Sequence, residues 1–122
     1  CPSMLDTVAP QMIKIDHPAP FMTFTFEVAE EWKTRVPEVV HEDGTSRAQV
    51  LKREYNPRYY DMMKALEVLT GNGVSLNTSL NRRGEPMICS PTDALNMFFG
   101  SDLQYLIMED ILVVKDGVDA YD

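Results

Sequence analysis

The stretch "NPRYYDMMKALEVLTGNGVSLN", residues 56–77, holds a helix and a strand in one reading. Asn56 is a good amino-terminal cap, and Pro57 suits the first helical position, where a missing N–H costs nothing. Tyr59, Met62, Met63, Leu66, Leu69 and Thr70 recur at three- and four-residue spacing, which predicts a helix over 57–70 with that face buried. Gly71 is placed to take the left-handed stop. "GVSLN" then changes the period to two, with Val74 and Leu76 on one face of a strand and Ser75 and Asn77 on the other.

Working outward, the same alternation recurs. "PFMTFTFEV", residues 20–28, sets Met22, Phe24 and Phe26 against Thr23 and Thr25, the pattern of a half-buried strand. "AEEWKTRV" reads as a short helix closed by Pro37. "HEDGTSR" is turn chemistry, and "AQVLKRE" follows as a strand. "SPTDALNMFF" predicts a second long helix over 91–99, with Ser90 as cap, Pro91 first and Asp93 near a capping box. "YLIMEDILVV" predicts one or two closing strands, broken near Glu109 and Asp110. Strands alternating with helices indicate the α/β or α+β class. The expectation is one sheet carrying helices 57–70 and 91–99, with Met63, Leu66, Leu69, Leu95 and Phe98 buried. Residues 1–20, with Pro10, Pro18 and Pro20, read as a crossover or poorly ordered segment.

The totals narrow the function. A chain of 122 residues with 44% apolar and 25% charged residues has ordinary globular composition and can build one real core. No apolar run approaches the roughly 18 residues of a spanning helix, which argues against a membrane segment. The start "CPSMLDTVAP" has neither the basic flank nor the apolar stretch of a signal peptide, nor an initiator Met, and reads as a piece of a longer protein. Cys1 and Cys89 form no metal or disulfide pattern, which favours a reducing, cytoplasmic setting, and Cys89 reads as a small buried residue. His17 and His41 have no partners at ligand spacing, so no metal site is expected.

A net charge of -8 disfavours nucleic acid and anionic membranes. Residues 47–83 nevertheless hold seven of the eleven basic residues and three of the nineteen acids, a window of +4 in a remainder of -12. One cationic island in an acidic chain suits a compact anion such as phosphate, although scattered solvated Lys and Arg would give the same count. "LNTSLNRRGEP", residues 76–86, sets Asn77, Ser79 and Asn81 two apart at a strand's carboxyl end, followed by Arg82 and Arg83. Open α/β sheets place ligands at such ends, and these donors suit a phosphate or a purine edge. A turn that satisfies its own backbone would use the same residues, and the stretch leaves both readings open. Arg47, after the "DGTS" turn, is the other candidate.

Three motifs in order, "HEDGTSRAQ" (41–49), "REYNPRYYDMM" (53–63) and "LNTSLNRRGEP" (76–86), resemble the carboxy-terminal domain of the nodulation and antibiotic-biosynthesis carbamoyltransferases. "CPSML" and "PFM" agree, so the resemblance spans residues 1–122. It implies a single YrdC-like α/β domain with a twisted open mixed sheet and flanking helices, part of a larger enzyme. It further implies binding of ATP, with Mg²⁺ on its phosphates, and of carbamoyl phosphate, to form carbamoyl-adenylate. A Kae1-like amino-terminal domain of the same protein would pass the carbamoyl group to a sugar, oligosaccharide or antibiotic hydroxyl.

By matching positions, Arg47, Asn77, Ser79, Asn81 and Arg83 are implied as ATP and carbamoyl-phosphate contacts, with Arg47, Asn77 and Ser79 converging in one cleft. No residue is implied as a covalent catalyst. Leu80 stands where Phe is usual in the family and Arg82 where an apolar residue is common. The family's basic Lys-x-Arg-Glu segment would precede Cys1, so the chain alone is expected not to transfer carbamoyl groups. The competing reading is a non-catalytic phosphate- or nucleotide-binding or interaction module.

Overall fold

The computed structural model describes residues 1–118. The chain forms two compact units, Cys1–Thr78 and Ser79–Asp122. The first unit contains β1 (Pro2–Leu5), α1 (Ala9–Met12), β2 (Thr25–Glu27), α2 (Glu30–Arg35), a 3-10 turn (Pro37–Val39), β3 (Thr45–Arg47), β4 (Gln49–Leu51), α3 (Pro57–Thr70) and β5 (Val74–Leu76). The second contains α4 (Pro91–Phe99), β6 (Tyr105–Met108) and β7 (Ile111–Val114). This is the mixed α/β class that the alternation predicts. Among the described residues no helix is long and apolar enough to cross a membrane.

The sheet is not continuous. Its strands are three or four residues long, and among the described residues they pair in three small sheets, ordered β4-β1-β5, β2-β3 and β6-β7. The chain leaves β3, which pairs with β2, and enters β4, which pairs with β1, across the single buried residue Ala48. One residue between two pairings leaves no room for a wide sheet to propagate.

The largest departure from the sequence reading lies in residues 1–20. Pro2–Leu5 is the middle strand, parallel to β4 (Ser3 opposite Gln49) and antiparallel to β5 (Ser3 opposite Ser75). Met4 and Leu5 are fully buried, and Val8, Ala9, Met12 and Ile13 join the same core. A strand buried on both faces shows no alternation, so its apolar run lacks the usual period-two signal.

Helix α3 starts and stops where expected. Asn56 Oδ1 accepts from the Tyr59 N–H at 3.1 Å, and Gly71 takes φ 76° while its N–H donates to the Glu67 carbonyl at 2.7 Å. Its buried face is narrower than the predicted one. Met63 is buried, and Tyr59, Tyr60 and Leu66 pack half-buried against the core, whereas Met62 and Leu69 are exposed. The core meets one edge of the helix, and Leu69 lies beyond it. The strand predicted over 20–28 is likewise shortened to Thr25–Glu27: Met22 adopts φ 56° and Phe24 is exposed, while Phe26 faces inward opposite the buried Ser46.

In the second unit, Ser90 caps α4, accepting from the Asp93 N–H at 3.1 Å and donating its hydroxyl to the Asp93 carboxylate at 2.7 Å. Phe98 and Ala94 bury against Leu106, with Leu95 half-buried beside them. β6 and β7 form a hairpin with Met108 opposite Ile111, joined through Glu109 at φ 54° and Asp110.

Candidate functional site

The β1–β5 ladder extends one pair beyond Leu76. The Asn77 N–H donates to the Cys1 carbonyl at 2.9 Å, and the Cys1 amine donates back to the Asn77 carbonyl at 3.3 Å. Asn77 is therefore held in extended register, and its side chain falls on the face shared by Ser75 and Ser3. Arg47, at the end of β3, donates its Nε–H to the Cys1 sulfur. Two of the predicted site residues, from strands far apart in sequence, thus meet on one residue at one end of the sheet.

A row of polar side chains crosses this sheet, because Gln49, Ser3 and Ser75 are register partners on β4, β1 and β5. Tyr59 Oη donates to Asn77 Oδ1 at 3.1 Å, and Asn77 Nδ2 donates to Ser3 Oγ. Ser3 Oγ donates to Gln49 Oε1 at 2.6 Å, and Gln49 Nε2 donates to the Pro20 carbonyl at 3.1 Å. Ser3 is fully buried, so this polar group has to be satisfied internally. Beside the row lies a cavity of about 560 Å³, lined among others by Phe21, Gln49, Tyr55, Asn56 and Tyr59. Nothing in the sequence pairs Ser3 with Gln49, because strand register sets that contact, and Tyr59 reaches Asn77 from helix α3.

The cationic window is partly neutralised in place. Arg53 grips Asp61 with two bonds of 3.0 and 2.9 Å, Lys64 pairs with Glu67 at 2.5 Å, and Lys52 lies 4.0 Å from Glu54. The Arg53 fork holds the Asp61 carboxyl below its ordinary value. These charges are structural ion pairs on or next to α3. Arg47, which makes no ion pair among the described residues, is the cation of this unit that stands at the sheet end. In the preceding turn, the Thr45 hydroxyl and then its N–H donate to Asp43 and lower its pKa. That Asx turn fixes the approach to β3 and so the position of Arg47.

Ser79, Asn81 and Arg83 belong to the second unit. Asn81 Nδ2 donates to the carbonyls of Arg82 at 3.2 Å and Glu85 at 3.0 Å, bracing a turn in which Gly84 has φ 85°. Arg82 reaches back to the Asn96 carbonyl of α4 at 3.0 Å and passes so close to Gly100 that a Cβ there would lie 1.6 Å from its guanidinium. Arg83 and Ser79 are exposed, and Arg83 makes no ion pair among the described residues. Cys89 is exposed rather than buried: it precedes the cap of α4, with its N–H 3.4 Å from the Asp93 carboxylate.

Comparison with known proteins places the chain in a family. The family model described as "Carbamoyltransferase C-terminus" matches residues 1–115. The chain is 32% identical to an uncharacterised protein of Synechocystis sp., over 93% of this chain and 22% of that protein. It is 30% identical to an uncharacterised protein of Methanocaldococcus jannaschii, over 94% and 19%. It is 38% identical to the nodulation protein NolO of Bradyrhizobium diazoefficiens, over 79% and 18%. The chain therefore spans about a fifth of the length of these relatives. With a match that runs from β1 through β7, the chain belongs to the carbamoyltransferase carboxy-terminal family.

Proposed function

We propose that this chain is the part of an O-carbamoyltransferase that binds ATP and carbamoyl phosphate and forms carbamoyl-adenylate, on a YrdC-like scaffold. The observation that carries the reading is the meeting of Arg47 and Asn77 on Cys1 at one sheet end. Joining a carbamoyl group to the α-phosphate of a nucleotide gathers several negative charges around one weakly electrophilic carbon. Positioning and fixed donors supply most of what such a step needs. Arg47 offers a planar fork for a phosphate or carbamoyl oxygen, and Asn77 retains an amide hydrogen beyond the one given to Ser3. Ser79 and Arg83, which the family resemblance carries over as further ligand contacts, offer a hydroxyl and a cation on a loop of the second unit whose shape Asn81 sets.

Magnesium would be held by the phosphates of the nucleotide. The carbamoyl group would then pass to a hydroxyl of a sugar, oligosaccharide or antibiotic on a Kae1-like amino-terminal domain of the same protein.

The test is calorimetric titration of ATP and of carbamoyl phosphate into the full-length protein. Arg47→Lys keeps the charge but loses the fork, and most of the affinity should go with it. Ser79→Ala removes a donor to a charged ligand, worth about 1.5–3 kcal/mol, or roughly one to two orders of magnitude in Kd. Parental affinity for both ligands in both variants would refute the assignment.

A further inference from the structure

The polar row has only one possible direction, and that direction is set at its far end. The Pro20 carbonyl can only accept, so Gln49 must turn Nε2 toward it and Oε1 toward Ser3. Ser3 must then donate to Gln49 and accept from its other neighbour, which places Nδ2 of Asn77 on Ser3. Oδ1 of Asn77 is left facing Tyr59 and Ser75, and the Tyr59 hydroxyl donates to it at 3.1 Å. Rotating the Asn77 amide by half a turn would set its oxygen against Ser3 Oγ, whose proton is already spent on Gln49. One orientation of the amide is satisfied and the other is not.

We infer that Tyr59, Ser3 and Gln49 are positioning residues for Asn77: the row fixes its carboxamide so that the remaining amide hydrogen is aimed before a ligand arrives. The inference rests on the reading of Asn77 as a ligand contact. Ser3 is fully buried, so it acts on a ligand through Asn77 and not by touching it. Preorganising a donor in this way removes an ordering cost that binding would otherwise bear.

The experiment is titration of ATP and, separately, of carbamoyl phosphate into full-length protein carrying Ser3→Ala, Tyr59→Phe, Asn77→Ala and the double change Ser3→Ala/Asn77→Ala. Ser3→Ala and Tyr59→Phe should each weaken at least one ligand by about three- to tenfold, the effect of a lost neutral hydrogen bond. In the Asn77→Ala background, Ser3→Ala should weaken binding no further, because its effect passes through the missing amide. A merely structural role would show in the thermal midpoint and add to the Asn77→Ala loss. Tyr59→Phe keeps the ring, so it stands as the folded variant if Ser3→Ala fails to fold. Parental affinity in Asn77→Ala would overturn the site itself. Weakened Asn77→Ala beside parental Tyr59→Phe and Ser3→Ala, or an undiminished Ser3→Ala effect in the double variant, would overturn the positioning role alone.

Discussion

The unit ending at Thr78 and the unit beginning at Ser79 rest on cores of very different weight. The first gathers sixteen buried apolar residues from both faces of β1 and from α1, α2 and α3. Among its described residues the second gathers three, Ala94, Phe98 and Leu106, with a rim of half-buried neighbours. Its hairpin turns Leu106 and Val113 inward, while Tyr105, Ile107 and Leu112 on the other face are 46, 69 and 46% exposed. Stability drawn from burial scales with apolar area removed from water. The first unit has many substitutable contributors, and the second leans on one aromatic ring.

The substitution that presses hardest on this contrast is Phe98→Ala. Losing a fully buried Phe should cost about 3–5 kcal/mol, most of what so small a cluster can supply. Hydrogen exchange should then show amides 92–99 unprotected, with those of α3 still protected. The matched change in the first unit, Met63→Ala, should cost about 2–5 kcal/mol and lower protection in that unit without abolishing it. If Phe98→Ala leaves the exchange of α4 unchanged, the contrast between the cores is wrong.

A smaller effect tests the cap of α4. The Ser90 hydroxyl, followed by the Cys89 N–H, holds the Asp93 carboxyl below its ordinary value of 3.8. A depressed folded pKa contributes stability that is present above the unfolded value and is lost as pH falls through the folded one. Thermal midpoints measured down from about pH 6 to about pH 2 should therefore decline less steeply in Asp93→Asn than in the parent, with the difference confined below about pH 4. Parallel profiles would mean that the cap carries no charge-dependent stability.

The smallest effect separates the two edges of α3. Leu69 is 84% exposed, so Leu69→Ala should change stability by less than about 0.5 kcal/mol, measured by urea denaturation. A loss comparable to that of Met63→Ala would place the core on the other edge of the helix.

These same residues show where the sequence could be read. The bounds of α3 and α4 were legible because their signals are local: Asn56 and Ser90 as caps, Pro57 and Pro91 at the first position, Gly71 as the stop. Leu69 lies on the predicted buried face yet is exposed, because three- and four-residue spacing gives a stripe but not the width of what covers it. β1 was hidden because burial on both faces removes alternation. At the proposed site, Arg47 and Asn77 are candidates by residue type and motif. Their support could not be read this way, since the Ser3 contacts span 46 and 74 positions, and only register brings such distant residues together.

The central place of β1 also carries a consequence for the order of assembly. During synthesis Pro2–Leu5 emerges before either of its neighbours exists, and its partners at Gln49–Leu51 and Val74–Leu76 follow much later. At roughly 5–20 residues per second, the strand around which the sheet is organised waits seconds with both edges open. Closing its two long loops is the slow, entropically uphill part of building this sheet. Until then the nascent chain presents a short apolar segment with unpaired amides on either side, the kind of surface that chaperones hold and that stray strands pair with.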